Sequence, residues 1–370
     1  MSATATRIDE IIYILEKYSN ITIITMDLIE NSSSLYLNHK KYNFRKYTSG
    51  HPLSFYNYLT YFNKLKKVLN TEEYDVIIDC GVPFHCFLYL KKYCIKRSKI
   101  FVSDVLDWFS YSQFSFKFLS IIYWLNEIKL RYIIDQKVKI IAISSYLTQY
   151  FENKGIDVFY LPFTMRGTSF MNFDKVINDE VINFIYAGKP QNKDLLYPFW
   201  DAMSLLPTDK LLRVKFYLFG LDDNYISLYK KKNVASYNKI KNNLIIHGVV
   251  ERNKILQFYK NATFSVLLRN PAKKFAKAGF PTKITESLFT QTPVFCNITS
   301  NIDDYLTNGL NSVIVSSPTK EDCLDNLLKI LELDKQELLD MSLCAYKTAN
   351  KNLATDNYSQ DLIKFVLNIN

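Results

Sequence analysis

The stretch Phe264-Ser265-Val266-Leu267-Leu268-Arg269-Asn270, followed after a basic loop by Ala278-Gly279-Phe280-Pro281-Thr282-Lys283-Ile284-Thr285-Glu286-Ser287-Leu288, decides the fold. The apolar run Phe264–Leu268 has the length and composition of a buried strand, and it delivers Arg269 to its C-terminal end. Gly279 and Pro281 shape a tight turn that opens a helix over Lys283–Phe289, and Pro293–Cys296 reads as the next strand. Strand, turn, helix and strand in this order specify a parallel α/β sheet, where ligands sit at the C-terminal ends of strands.

The turn carries charge in a useful place. Amides at a helix mouth attract anions. Glu286 lies about one turn inside the helix, where a carboxylate can accept both hydroxyls of a ribose while Arg269 and a lysine hold a diphosphate. Taken singly, Glu286 reads equally well as an exposed helix residue in a salt bridge, and Gly279-Phe280-Pro281 as an ordinary turn. Upstream, Phe184-Ile185-Tyr186-Ala187-Gly188-Lys189-Pro190-Gln191-Asn192-Lys193 has the same form: a strand ending in Gly, then two lysines before a helix. Gly188 permits close backbone approach, and Lys189 and Lys193 bring positive charge for a diphosphate. A basic turn of this kind, alone, is more often merely solvated.

Alternation extends along the chain. In the first half, helices are expected over Arg7–Tyr18, Phe55–Leu69 and Leu147–Lys154. Strands are expected over Ile21–Met26, Tyr74–Asp79, Ile100–Ser103, Val138–Ile143 and Val158–Leu161. Asn31–Gly50 reads as a loop with a short strand at Ser34–Leu37. After an irregular stretch a second series begins with strand Val181–Ala187, and a Lys-rich segment up to Asn243 carries no clear pattern. The expected fold is α/β, with two Rossmann-like domains facing a cleft. We expect a first domain over 1–163, a linker over 164–180, a second domain over 181–350, and a C-terminal helix over 351–370 that packs back on the first.

The 370 residues carry 46 Lys and Arg against 36 Asp and Glu, a net charge of +10 that favours anionic partners. Splitting the chain after Phe163 gives an excess of +5 on each side, so no basic tail marks a nucleic-acid binder. Six scattered cysteines without a CxxC pair, and four scattered histidines, indicate neither a metal site nor a disulfide framework, and a cytosolic setting is expected. No secretory signal is visible at the N-terminus. Phe109–Arg131 interleaves aromatics with Lys117, Lys129 and Arg131. It reads as a core-packed helix pair in preference to an amphipathic surface lying on an anionic membrane.

These motifs together resemble the family-four retaining glycosyltransferases of the GT-B fold. The family's strand-Gly-basic turn is matched by Gly188, Lys189 and Lys193, and its phosphate-binding Arg by Arg269. Its P-x-K-x-x-E-x-L-x-x-x-x-P-V segment is matched by Pro281, Lys283, Glu286, Leu288, Pro293 and Val294. Its segment opening on hG is matched by His247-Gly248-Val249. Phe101-Val102-Ser103-Asp104-Val105-Leu106-Asp107-Trp108 resembles the family's cleft segment and makes Asp107 a candidate cleft carboxylate, although an N-cap or loop role fits it as well. Two departures stand out. Ala278 occupies the place of the first Glu of the family's Glu-x7-Glu, as in a subgroup linked to bacterial surface polysaccharides. The family's first strand and glycine-rich loop have no counterpart ahead of the first helix, so either the sheet lacks one strand or the chain starts late.

The resemblance implies transfer of a sugar from a nucleotide diphosphate sugar to a growing surface glycan (capsule, O-antigen or exopolysaccharide), with retention at the anomeric carbon. Arg269, Lys193 and Asp107 would be the catalytic residues. Gly188, Lys189, His247, Gly248, Gly279, Phe280, Pro281, Thr282, Lys283 and Glu286 would bind the donor. No metal or other cofactor is expected. The expected partners are the donor and a glycan or lipid-linked glycan acceptor, with peripheral contact at the inner face of the membrane and no nucleic acid. A nucleotide-sugar epimerase of the same fold and a non-catalytic donor-binding subunit are the alternatives.

Overall fold

The computed structural model describes residues 3–25, 42–46, 55–114, 119–170, 175–190 and 193–369. The chain forms two units. One comprises Met1–Phe109, Phe118–Thr164 and Thr355–Asn370, and the other Ser110–Lys117 and Met165–Ala354. Residues 165–180, expected as a linker, are counted with the second unit, and residues 355–370 return to the first.

In the first unit the strands are β1 (Ile21–Thr25), β2 (Tyr42–Lys46), β3 (Val76–Asp79), β4 (Ile100–Val105), β5 (Lys139–Ala142) and β6 (Val158–Tyr160). β1 and β2 form a parallel pair, and the other four form a parallel sheet in the order β3-β4-β5-β6. Parallel neighbours need crossover connections, supplied here by helices. The helix Ser145–Glu152 between β5 and β6 starts where the Ser144 hydroxyl accepts the Leu147 amide at 3.3 Å, a side-chain N-cap. The first helix, Ala3–Leu15, buries Ile11, Ile14 and Leu15 against Val102, Ile141 and the C-terminal helix Ser359–Leu367, which contributes Leu362, Ile363 and Val366.

The second unit holds β7 (Ile182–Ala187), β8 (Val214–Phe219), β9 (Leu244–Gly248), β10 (Phe264–Leu267), β11 (Val294–Asn297) and β12 (Ser312–Val315) in one parallel sheet, ordered β12-β11-β10-β7-β8-β9. The order reverses at β7, between β10 and β8, the kind of switch point at which open parallel sheets bind ligands. β10 and β11 are buried along their whole length, in keeping with their mostly apolar sequences. The core is aromatic at its centre. Phe184 lies 4.9 Å from Phe199 and 5.8 Å from Phe264, ring centre to ring centre.

Several elements differ from the sequence expectation. Tyr42–Lys46 is a strand where a loop was expected, and Ser34–Leu37 lies outside the described residues. Phe84–Lys96 is a helix that the pattern did not signal. The Lys-rich segment forms two helices, Asp223–Lys232 and Val234–Ile240. The basic loop before Gly279 contains the short helix Lys274–Ala278. The Lys-rich pair was hard to read because its helices face water with charged sides and bury little besides Tyr229 and Ile240.

Candidate active site

The C-terminal ends of β7, β8 and β9 come together through three glycines. The Gly188 amide donates to the Phe219 carbonyl at 3.0 Å, and the Gly220 amide to the Gly248 carbonyl at 2.6 Å. Gly220 has φ +78°, and a Cβ there would lie 3.0 Å from the Gly188 carbonyl carbon and oxygen. Gly188 has φ +140°, and a Cβ on it would meet Lys283 Cε at 2.9 Å. Both positions therefore demand glycine, for conformation and for space.

Beside Gly188 stands a buried cluster centred on Asp194, whose side chain is 2 % exposed. Its Oδ1 accepts from Arg269 Nε at 2.7 Å, and its Oδ2 accepts from Lys283 Nζ at 2.7 Å and from the Tyr186 hydroxyl at 2.8 Å. Four separate segments supply these groups: β7, the turn after it, the residues just past β10, and the helix Thr282–Phe289. Burial works against the charge on Asp194, but Lys283 and Arg269 outweigh it and hold its carboxyl well below the usual carboxylate range. Burial, with Asp194 close by, pushes the Tyr186 phenol well above its ordinary value. The cluster is thus two cations and one anion, with a neutral phenol.

Arg269 is fixed along its backbone as well. Its amide donates to Asn297 Oδ1 at 2.8 Å, and Asn297 Nδ2 donates to its carbonyl at 2.9 Å. The Leu195 amide donates to the Leu268 carbonyl at 2.7 Å, tying the turn after β7 to the end of β10. Only Nε of Arg269 is taken by Asp194, and among the described residues its two terminal nitrogens have no protein partner. They are available to a doubly bonded contact with an anion.

The expected residues fall into three groups. Arg269 and Lys283 meet at the cluster. Lys193 lies one residue before Asp194 with its Nζ 5.6 Å from the centre of the Phe275 ring, while Lys189 is exposed beyond Gly188. Gln191 and Asn192, between them, lie outside the described residues. Gly279, Phe280, Pro281 and Thr282 form the turn into the helix Thr282–Phe289, which has no side-chain N-cap. Phe280 is buried edge-on against Tyr305, with ring centres 5.5 Å apart. Glu286 is half-buried on the same helix. The His247 ring packs among aromatics, 4.7 Å from Phe219 and 4.6 Å from Phe258, and its Nε2 has no hydrogen-bond partner, so its surroundings are those of a packed ring. Gly248 follows at φ +62°.

Asp107 belongs to the other unit, two residues past β4 and half-buried. The strand ends near it carry charge that sequence reading did not anticipate. Arg7 clasps Asp104 through Nε and Nη2 at 2.8–3.0 Å and donates to the carbonyls of Leu161 and Pro162. Asp79 accepts from Lys129 Nζ at 2.8 Å, from Ser103 and from the Gly81 and Val82 amides. The helix Ile121–Ile128, expected to be core-packed, leaves Ile121 73 % and Trp124 51 % exposed.

Asp194, Asn297 and Gly220 are what sequence reading missed. Asp194 follows a lysine in a turn and signals nothing by spacing. Only the return of Arg269 and Lys283 from distant segments gives it a role.

Comparison with known proteins fits this geometry. The family model described as "Glycosyl transferases group 1" matches residues 170–347, which include the cluster, the strand-end glycines and the helix Thr282–Phe289. A comparison with curated proteins finds no match. Solved structures match over nearly the whole chain. The lipopolysaccharide outer core galactosyltransferase WaaB, in its apo form, has a TM-score of 0.66 at 16% identity over 100% of this chain and 96% of its own. Anabaena Alr3699/HepE in complex with UDP has a TM-score of 0.70 at 14% identity over 98% and 95%. The same Anabaena protein with UDP-glucose has a TM-score of 0.69 at 13% identity. At such identities these structures speak for the GT-B fold, and the family model speaks for the class of enzyme. Residues 170–347, just under half of the chain, match the group 1 glycosyltransferase model, and the chain as a whole shares the GT-B fold of these solved structures.

Proposed function

We propose that the chain transfers a sugar from a nucleoside diphosphate sugar to a surface glycan at the cytoplasmic face of the membrane, with retention of configuration. The observation that carries this reading is the buried carboxylate of Asp194, which holds Arg269 and Lys283 side by side at the strand ends where β10 meets β7. Two cations fixed in this way are preorganised for a diphosphate. The diphosphate gains negative charge as it leaves, so they stabilise the transition state more than the ground state. Lys193 and Lys189 add positive charge to the same turn, and Glu286 takes the ribose hydroxyls. The Anabaena structures contain UDP and UDP-glucose, which supports a uridine nucleotide as the first donor to test. No metal enters this mechanism, because the cations neutralise the diphosphate themselves. The exposed Ile121 and Trp124 side chains support a peripheral membrane contact on the acceptor side.

The test is a transfer assay with a panel of nucleotide sugars, run in EDTA, after a thermal-shift screen has picked the donor. Arg269→Ala should lower turnover about a hundredfold or more, the scale of a lost charge-stabilising donor, and Arg269→Lys should recover only part. Near-normal turnover of a folded Arg269→Ala variant, or activity that requires an added divalent cation, overturns the mechanism. Epimer formation or donor binding without transfer would overturn the assigned activity. Co-sedimentation with anionic vesicles, lost on Trp124→Ser, checks the membrane contact.

A further inference from the structure

The loop after β4 does not stay with its own sheet. Residues Ser110–Lys117 are counted with the second unit, although the chain before and after them belongs to the first. The described residues of this segment, 110–114, hold a short turn over Tyr111–Gln113. Two hydrogen bonds close it: the Ser110 amide donates to Gln113 Oε1 at 2.7 Å, and the Gln113 amide to the Ser110 carbonyl at 3.0 Å. Ser110 is buried. Its hydroxyl accepts the Phe275 amide at 3.4 Å, a contact across 165 positions of sequence. Beside it, Lys273 Nζ lies 6.0 Å from the centre of the Tyr111 ring.

Phe275 is the second residue of the helix Lys274–Ala278, so its amide is one of the donors that a helix start leaves without an intrahelical partner. The N-cap position holds Lys273, whose side chain cannot accept a hydrogen bond, and the helix has no side-chain cap of its own. Ser110 supplies the missing acceptor, and serine is among the residue types that serve best in that role. We propose that Ser110 is a positioning residue for the basic turn after β7: it caps the helix Lys274–Ala278 from a distant part of the chain, and the Phe275 ring fixed in this way holds Lys193 in place.

Phe275 is buried, and Lys193 Nζ, 5.6 Å from the centre of its ring, is within the range of a cation–π contact. Lysine is a point charge on a flexible four-carbon stem, so a fixed ring restricts where that charge can stand. The same helix leads into the turn at Gly279, whose amide donates to the Phe275 carbonyl at 3.0 Å. A shift of Phe275 therefore reaches both sides of the candidate site, Lys193 through the ring and Gly279 through the backbone. A group misplaced by about 1 Å can cost about a hundredfold in rate, even when the change that moves it lies far from the reacting atoms. The inference rests on the reading of Lys193 as a contact of the donor diphosphate.

The experiment compares the full natural chain with Ser110→Ala, Ser110→Thr, Lys193→Ala and the double variant of Ser110→Ala with Lys193→Ala. Ser110→Ala should speed hydrogen exchange of the Phe275 amide about fivefold or more, the scale of a lost cap. It should also speed acetylation of Lys193 by an N-hydroxysuccinimide ester, read by peptide mass spectrometry, without changing that of Lys329 on the helix Lys320–Ile330. Ser110→Thr keeps the acceptor and should leave both rates near those of the natural chain. With UDP-glucose as donor, Ser110→Ala should lower kcat about fivefold or more and leave KM within about twofold. It should have almost no further effect once Lys193 is alanine, because two residues that act through one contact are not additive. Unchanged exchange or unchanged Lys193 labelling in Ser110→Ala overturns the proposal, and so do costs of the two substitutions that simply multiply. Lack of transfer from UDP-glucose by the natural chain would count against the donor reading instead, and exchange and labelling would still decide the role of Ser110.

Discussion

At the scale of the residue, Asp194 organises the candidate site without being able to bind an anion itself. Replacing it by Asn leaves two half-buried cations facing a neutral amide. Breaking a buried ion pair from one side costs about 3–5 kcal/mol, so Asp194→Asn should lower the urea midpoint and also weaken donor binding, because Arg269 loses the contact that orients it. The pH dependence has a definite sign. The folded carboxyl titrates below its ordinary value of 3.8, so its contribution is complete above that value and fades as pH falls toward the lower folded one. The difference in stability between the natural chain and Asp194→Asn should therefore be constant near neutrality and shrink below about pH 4, as read by urea unfolding at several pH values. Arg269 and Lys283 were legible in the sequence because strand ends and helix starts leave marks. Asp194 was not, since its importance comes from two partners 75 and 89 positions away.

At the scale of the element, the strand ends are packed backbone to backbone. A Cβ at Gly220 would press on the Gly188 carbonyl group, which is main chain and cannot swing aside. Gly220→Ala should lower the Tm by several degrees and reduce donor affinity, since shifting Gly188 moves the wall beside Lys283. Circular dichroism melting and a donor titration read the two effects. An unaltered Tm would mean that the strand ends are looser than drawn. The mostly apolar strands β7 and β10 were plain in the sequence because most of their positions are buried and only Asn183 and Ser265 break the apolar pattern. The helix Phe84–Lys96 was not, for it opens without a side-chain cap and interleaves its buried Phe87, Leu90 and Cys94 with Lys91 and Lys92.

At the scale of the whole molecule, the C-terminal helix Ser359–Leu367 is part of the first unit's core. Leu362 and Val366 are fully buried beside Ile14 and Val102, and Lys139 Nζ donates to the Phe365 carbonyl at 2.9 Å. Leu362→Ala should cost about 2–5 kcal/mol, the range for a leucine truncated in a packed core. Its effect should fall on the first unit, so limited proteolysis ought to cut there while donor binding in the second survives. Loss of donor binding with no new cleavage in the first unit would contradict that division.

Apart from the short segment Ser110–Lys117, the chain leaves the first unit after Thr164 and returns at Thr355, and this path also governs the order in which the protein can be built. A chain emerging from the ribosome presents most of the first unit early, yet that unit lacks the helix Ser359–Leu367 until those residues emerge. The second unit, begun later, has all of its sequence by Ala354 and can fold first. The early unit must wait with its apolar surface open while its neighbour is completed, and a ribosome stalled once Ala354 has left the exit tunnel, with the helix Ser359–Leu367 still inside, should hold one finished unit and one that proteases still recognise as unfolded.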